Sequence, residues 1–143
     1  TNFLLKICSY AYDQNFLRSS WINNFEYYSN TNNEYKKSFD QVVYYLDKIY
    51  YLSKEYDFNF SIAIYPWPGH ILYPENIDKY ESYWKNYCNN KCKYFINHFD
   101  DFDNFVLNKN KDEIVKSFYI YGDMHFNHDG NKILANKLKT AIQ

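Results

Sequence analysis

Asp123 and His125 stand two residues apart in the stretch Tyr119-Ile120-Tyr121-Gly122-Asp123-Met124-His125-Phe126-Asn127-His128-Asp129-Gly130. An Asp and a His this close on one loop can share a hydrogen bond. The carboxylate then holds the imidazole in one tautomer and stabilises it when protonated. The other ring nitrogen is left to take a proton from a hydroxyl nucleophile. Asp123 is therefore expected to orient His125, and His125 to act as general base. The plainer reading is a capped helix start with an exposed His. His128 is a second base candidate, expected to be a solvated neighbour of the helix start. A metal site built from Asp123, His125 and His128 is a further possibility.

Other side chains invite weaker readings. Trp67 either stacks on a sugar ring or packs over the end of a sheet. His70, in Pro66-Trp67-Pro68-Gly69-His70, either lines a substrate crevice or sits on a surface loop. His98 lies near Asp100, Asp101 and Asp103. Clustered carboxylates suit a hard cation, but a solvated acidic loop is the expected outcome.

These residues need elements to hold them. Phe39, Val42, Val43, Leu46, Ile49, Tyr50 and Ser53 follow helical spacing, which predicts a long amphipathic helix over about 33–56. The β-rich run 59–65 predicts a buried strand, ended by Pro66 and a loop through 70. A helix is expected over 76–90, with Ile77, Tyr80, Tyr83, Trp84 and Tyr87 on one side, and a strand over 93–97. An acidic loop at 100–104, a short helix at 109–116 and a third strand at 118–121 come next. The last helix spans about 129–142, with Ile133, Leu134, Leu138 and Ile142 inward, Lys132, Lys137 and Lys139 in solvent, and Asn127 or Asp129 as cap. Residues 1–32 show weak periodicity and are expected to hold short helical pieces and loops. Alternation of helix and strand implies α/β architecture, a parallel sheet covered by helices on both faces. In such sheets the functional crevice opens beyond the carboxyl ends of the strands. The loops after the first and last strands, 66–75 and 122–128, would open there.

The 143 residues are enough for one domain with a real core, and no linker or repeat divides them. Sixteen Lys and Arg against 17 Asp and Glu leave a net charge of −1, which excludes a dedicated nucleic-acid binder. No apolar run approaches the roughly 18 residues of a membrane span. Aromatics are 23% of the chain, too much buriable surface for disorder. AT-rich coding accounts for that excess as readily as a sugar-stacking surface does. Cys8, Cys88 and Cys92 make an odd count, so no disulfide framework follows. Cys88 and Cys92 either bond locally or remain free thiols, and a zinc site lacks two further ligands.

The stretch Asp123-x-His125, followed by Asn127 and Gly130, resembles the last sequence block of the SGNH (GDSL-type) hydrolase family. Ile64-Tyr65-Pro66-Trp67-Pro68 and the segment from Trp84 to Phe99 also resemble parts of some members. The resemblance covers roughly residues 35–143. It implies a flavodoxin-like three-layer α/β/α fold with a parallel sheet, present here only in its C-terminal portion. It further implies a serine esterase, acyl hydrolase or O-acyltransferase without metal or organic cofactor, acting on an ester or acylated carbohydrate. In that family Asp123 and His125 would complete a Ser-His-Asp triad, with Trp67 and His70 near the substrate. Many members space the Asp and His three apart, and the two-residue spacing here is similar to the alginate-acetylation branch. No serine of this chain has a Gly-Asp-Ser context, and the oxyanion blocks are absent. Ser9 and Ser19 have no supporting motif. The expectation is therefore a single unit, 1–143, forming the C-terminal part of a longer hydrolase domain, with the nucleophile in a missing N-terminal portion. The first residue, Thr1, leaves room for one. The alternative is a non-catalytic α/β module whose aromatic loops bind a glycan or protein. Compartment and oligomeric state are not legible.

Overall fold

The computed structural model describes residue 25 and residues 34–74, 77–106 and 110–143. Most of the expected N-terminal pieces, together with Cys8, Ser9 and Ser19, lie outside the described residues. The elements are α1 (Glu34–Glu55), β1 (Ile62–Ile64), α2 (Pro68–Leu72), α3 (Ile77–Cys88), β2 (Phe95–Asn97), α4 (Phe99–Val106), α5 (Lys111–Phe118) and α6 (His128–Ile142). β1 and β2 pair in parallel, with Ile62 opposite Phe95 and Ile64 opposite Asn97. The described chain is thus a helix-rich α/β structure with a small two-stranded parallel sheet. Among its described residues no helix is long and apolar enough to cross a membrane.

Two apolar clusters hold these elements. In the first, Phe39, Val43 and Leu46 of α1 pack with Ile77, Tyr80, Tyr83, Trp84 and Tyr87 of α3 over Ile62, Ile64, Phe95 and Phe99. Phe25 docks edge-on against Phe39, Tyr80 and Tyr83 at 5.3–5.5 Å. Much of the aromatic excess therefore serves burial, where each ring removes a large apolar area from water. The second cluster joins Ile71 of α2, Phe102 of α4, Ile114 and Val115 of α5, and Tyr119 and Phe126. Ile133 and Leu134 of α6 pack against it.

Several expectations are corrected here. The chain does not stay in a loop after Pro66, because Pro68 begins α2. Proline is well suited to a first helical position, where its missing N–H has no partner to lose. The acidic stretch after His98 is helix α4, whose Asp100 and Asp101 lie in the first turn and favour the helix dipole. No third strand forms over 118–121. Tyr119 makes only an isolated antiparallel bridge to Phe126. A partner only seven residues away in sequence competes locally with distant parallel pairing. Ile142 is 60% exposed and not inward, and Val42 and Ile49 also face outward on α1.

Cys88 and Cys92 are bonded to each other, which decides between the two readings of these thiols. The bridge closes the turn after α3, where Asn90 adopts a positive φ of 71°. Within that turn Lys91 pairs with Asp47 of α1, and the Tyr87 hydroxyl donates to the same carboxylate oxygen at 2.7 Å. These hydrogen bonds hold the Asp47 carboxyl below the usual carboxylate range. Reduction of the bridge should destabilise the fold by about 2 kcal/mol, as expected for so short a closed loop. Denaturant unfolding with and without a dithiol reductant, compared with a Cys88→Ser/Cys92→Ser variant, measures it.

Candidate active site: the Asp123–His125 loop

The site is built from a short hairpin-like excursion between α5 and α6. Its two ends are anchored by buried rings. Tyr119 is 2% exposed and Phe126 is 8% exposed. The two rings lie 4.4 Å apart, and Phe102 stacks on Phe126 at 5.5 Å. The Ile120 amide donates to the His125 carbonyl at 3.0 Å, and the Asn127 amide to the Phe118 carbonyl at 3.0 Å. A tight turn closes when the Asp123 amide bonds the Ile120 carbonyl at 2.9 Å. Gly122, at φ 74°, takes the left-handed position that this turn requires.

Asp123 and His125 occupy the tip. Asp123 Oδ1 lies 2.8 Å from His125 Nδ1. The same oxygen accepts the Met124 amide at 2.6 Å and the His125 amide at 3.3 Å. The imidazole hydrogen bond, then the Met124 amide, hold the Asp123 carboxyl below its ordinary range. An ionised carboxylate only accepts, so Nδ1 carries the proton and Nε2 remains the basic nitrogen. The imidazole is open to solvent, with 75% of its side chain exposed. The arrangement can therefore orient a base and take a proton from a group brought to it.

Asn127 fastens this loop to α6. Its side-chain oxygen accepts the amides of Asp129 and Gly130 at 2.9 and 3.1 Å, so Asn127 and not Asp129 is the cap. Its amide nitrogen donates to the Ser117 carbonyl at 2.8 Å. Asn127→Ala should cost about 2 kcal/mol, a lost cap plus a lost bond across the hairpin. Urea unfolding reads the loss as a lower midpoint at unchanged slope. His128 is the first residue of α6 and is exposed. Among the described residues no group of three His, Cys, Asp or Glu side chains is placed to hold a metal ion, so the Asp123, His125 and His128 centre is not formed.

Trp67 and His70 lie on the neighbouring segment. The Tyr119 hydroxyl donates to the Pro66 carbonyl at 2.9 Å, and Tyr65 meets Phe126 edge-on at 5.7 Å. The post-β1 segment and the base of the Asp-His loop are thereby joined. Trp67 is partly exposed. His70 departs from both of its sequence readings. It is 1% exposed, and its Nδ1 accepts the Trp67 amide at 2.8 Å at the start of α2. Its ring stacks on Trp67 and leans on Phe99. A ring used to start a helix and fill a core offers no face to a crevice.

A second Asp–His pair was missed. His98, directly after β2, is 1% exposed, and its Nδ1 lies 2.9 Å from Asp101 Oδ2. Asp101 Oδ1 pairs with Lys137 of α6 at 3.1 Å, and Lys137 also donates to the Asn97 carbonyl. Lys137 is thus a half-buried cross-link, not part of a solvent face. The only sequence signal was the three-residue spacing from His98 to Asp101 across a helix start. That pair braces β2, α4 and α6, and its buried ring is closed to a substrate.

An open cleft of about 450 Å³ lies along β2, walled by Glu81, Lys85, Phe95, Asn97, Asp100 and Lys137. Its ligand-binding size does not make it part of the Asp-His site, since neither Asp123 nor His125 lines it. Burial raises the Glu81 carboxyl there above its usual range.

No protein-family model matches this chain. No curated protein matches it in sequence, and no solved structure matches it in fold.

Proposed function

We propose that this chain is the C-terminal part of an SGNH-type hydrolase domain with a three-layer α/β/α fold, and that it supplies the Asp and His of a Ser-His-Asp triad. The observation that carries the reading is the 2.8 Å bond from His125 Nδ1 to Asp123, on an exposed loop that leads straight into the closing helix. The serine and the oxyanion donors belong to polypeptide outside these 143 residues. His125 Nε2 takes the serine proton as the serine oxygen attacks the acyl carbon of an ester. The tetrahedral intermediate then expels the alcohol, which receives that proton from His125. Water or a second alcohol, deprotonated by the same nitrogen, releases the acyl group, giving hydrolysis or O-acyl transfer. Asp123 holds the ring and balances the imidazolium charge. Trp67, beside the base of the loop, is assigned to the acylated carbohydrate or other ester substrate.

The test uses the complete polypeptide with an activated aryl ester and a serine-reactive phosphonate. Turnover and covalent labelling at one serine, both lost in His125→Ala, are expected. A complete polypeptide that neither turns over ester nor labels would leave a non-catalytic module as the reading.

A further inference from the structure

The bridged residues Cys88 and Cys92 stand four apart, so their bond closes a very small loop. Closing so short a loop restricts the unfolded chain little, and the bridge favours the fold by only about 30-fold. Linkage is reciprocal, so folding protects the bridge from reduction by no more than that factor. A bridge across about 100 residues would be protected about 3,000-fold. The bond is also within reach. Cys88 is 5% exposed and Cys92 is half-buried. Both line an open cleft of about 340 Å³ together with Lys85, Asn86, Asn89 and Phe95. Among the described residues that line it, Lys85 carries the one charge, so no carboxylate there repels an anion. Between the two cysteines, Lys91 pairs with Asp47 of α1 and lies 4.1 Å from the centre of the Tyr87 ring of α3. The bridged turn thus clips α1 to the end of α3.

We propose that Cys88–Cys92 is a reversible exchange site for an anionic low-molecular-weight thiol of the glutathione type, and that reduction there loosens α1 from α3. The thiolate attacks the sulfur of Cys92, the less buried of the two cysteines. The Sγ–Sγ bond breaks, and its electron pair leaves on Cys88 Sγ, which takes up the proton lost by the attacking thiol. A second thiol attacks the small-molecule sulfur of the mixed disulfide and releases Cys92 as a thiol. Two thiols are oxidised to one small disulfide, and the bridge gains two electrons and two protons. Lys91 is then held in a turn without its cross-link, and its pairing with Asp47 weakens. None of these residues belongs to the Asp-His site, so the inference is independent of the proposed chemistry.

The test equilibrates the complete polypeptide, folded, with reduced and oxidised glutathione over a range of ratios. Acid quenching, alkylation and peptide mass mapping then follow Cys88 and Cys92 separately from Cys8. The bridge should open and reclose reversibly, with a glutathione adduct on Cys92 at intermediate ratios. Its midpoint should lie within about 100-fold of that measured in denaturant. Amide exchange in α1 around Asp47 should rise at least about 3-fold on reduction and fall again on reoxidation, while α6 stays protected. Lys91→Met, which leaves the bridge in place, should raise the same exchange in the oxidised protein. A bridge that opens only in denaturant overturns the proposal, as does an adduct confined to Cys88. Reversible opening with unchanged exchange in α1 overturns it too.

Discussion

Replacing His125 by alanine should lower ester turnover by the complete polypeptide about 10⁴-fold or more, with little change in stability. The size follows from what the imidazole does. Without a base the serine hydroxyl stays protonated, and the remaining rate comes from substrate binding and the oxyanion donors alone. Stability should hardly move, because the side chain is 75% exposed and Asp123, its partner among the described residues, is on the same loop. Asp123→Asn should cost a comparable factor for a different reason. An amide at that position no longer favours the proton on Nδ1, so the basic nitrogen is presented wrongly. The two changes together should cost hardly more than His125→Ala alone, since the residues act as a unit. Steady-state kinetics on the four proteins decide the matter. Independent, additive losses would separate Asp123 from His125. The Asp123–His125 contact itself has an acid limit, set by the lowered Asp123 carboxyl. A depressed folded value means the pair is intact above the usual carboxylate range and opens only as pH falls through the lower folded value. NMR titration of the Asp123 carboxyl should give a midpoint below 3.8.

Gly130→Ala should destabilise the protein by about 3 kcal/mol, at the upper end of overpacking costs. In an open helix the same change stabilises by about 1 kcal/mol, because alanine is the better helix former. Here α6 starts against the hairpin so closely that an added Cβ would lie 2.2 Å from the Phe118 carbonyl oxygen and 2.6 Å from Phe126 Cδ1. Neither neighbour can yield cheaply. The Phe118 carbonyl accepts the Asn127 amide, and Phe126 is held under Phe102 and Tyr119. Relief would require α6 to lift from the loop that carries Asp123 and His125. A fall in melting temperature of about 6–12 °C is expected for a chain of this size, with reduced turnover even where the variant remains folded. A stabilised Gly130→Ala would show that helix and hairpin are not packed this way.

Both predictions depend on a region where sequence reading and structure agree in part. The Asp-x-His spacing makes a local hydrogen bond because the two residues share one turn, and Asn127 caps α6 because its side chain reaches amides two and three residues on. The third strand expected just before that loop is a different case. Tyr119 and its neighbours have strand-forming side chains, but propensity does not choose a partner. Phe126, seven residues away, captures the extended segment, while the Tyr119 hydroxyl reaches Pro66. Turn-rich surroundings suggest a crevice lining or a surface loop for His70, and the acidic run after His98 suggests a solvated loop. Both are 1% exposed, one starting a helix and the other paired to an acid.

From the amino-acid order alone came the long amphipathic α1, the aromatic face of α3, the parallel strand pair and the capped start of α6. Each is written in spacing over a few turns, or in contacts between residues two or three apart. Tertiary structure alone decided which face of α1 is buried, that Cys88 and Cys92 join, that Lys137 braces Asp101, and that Gly130 must lack a side chain. These depend on what a distant element places beside a residue, and burial, unlike helical period, is not a property of neighbours along the chain.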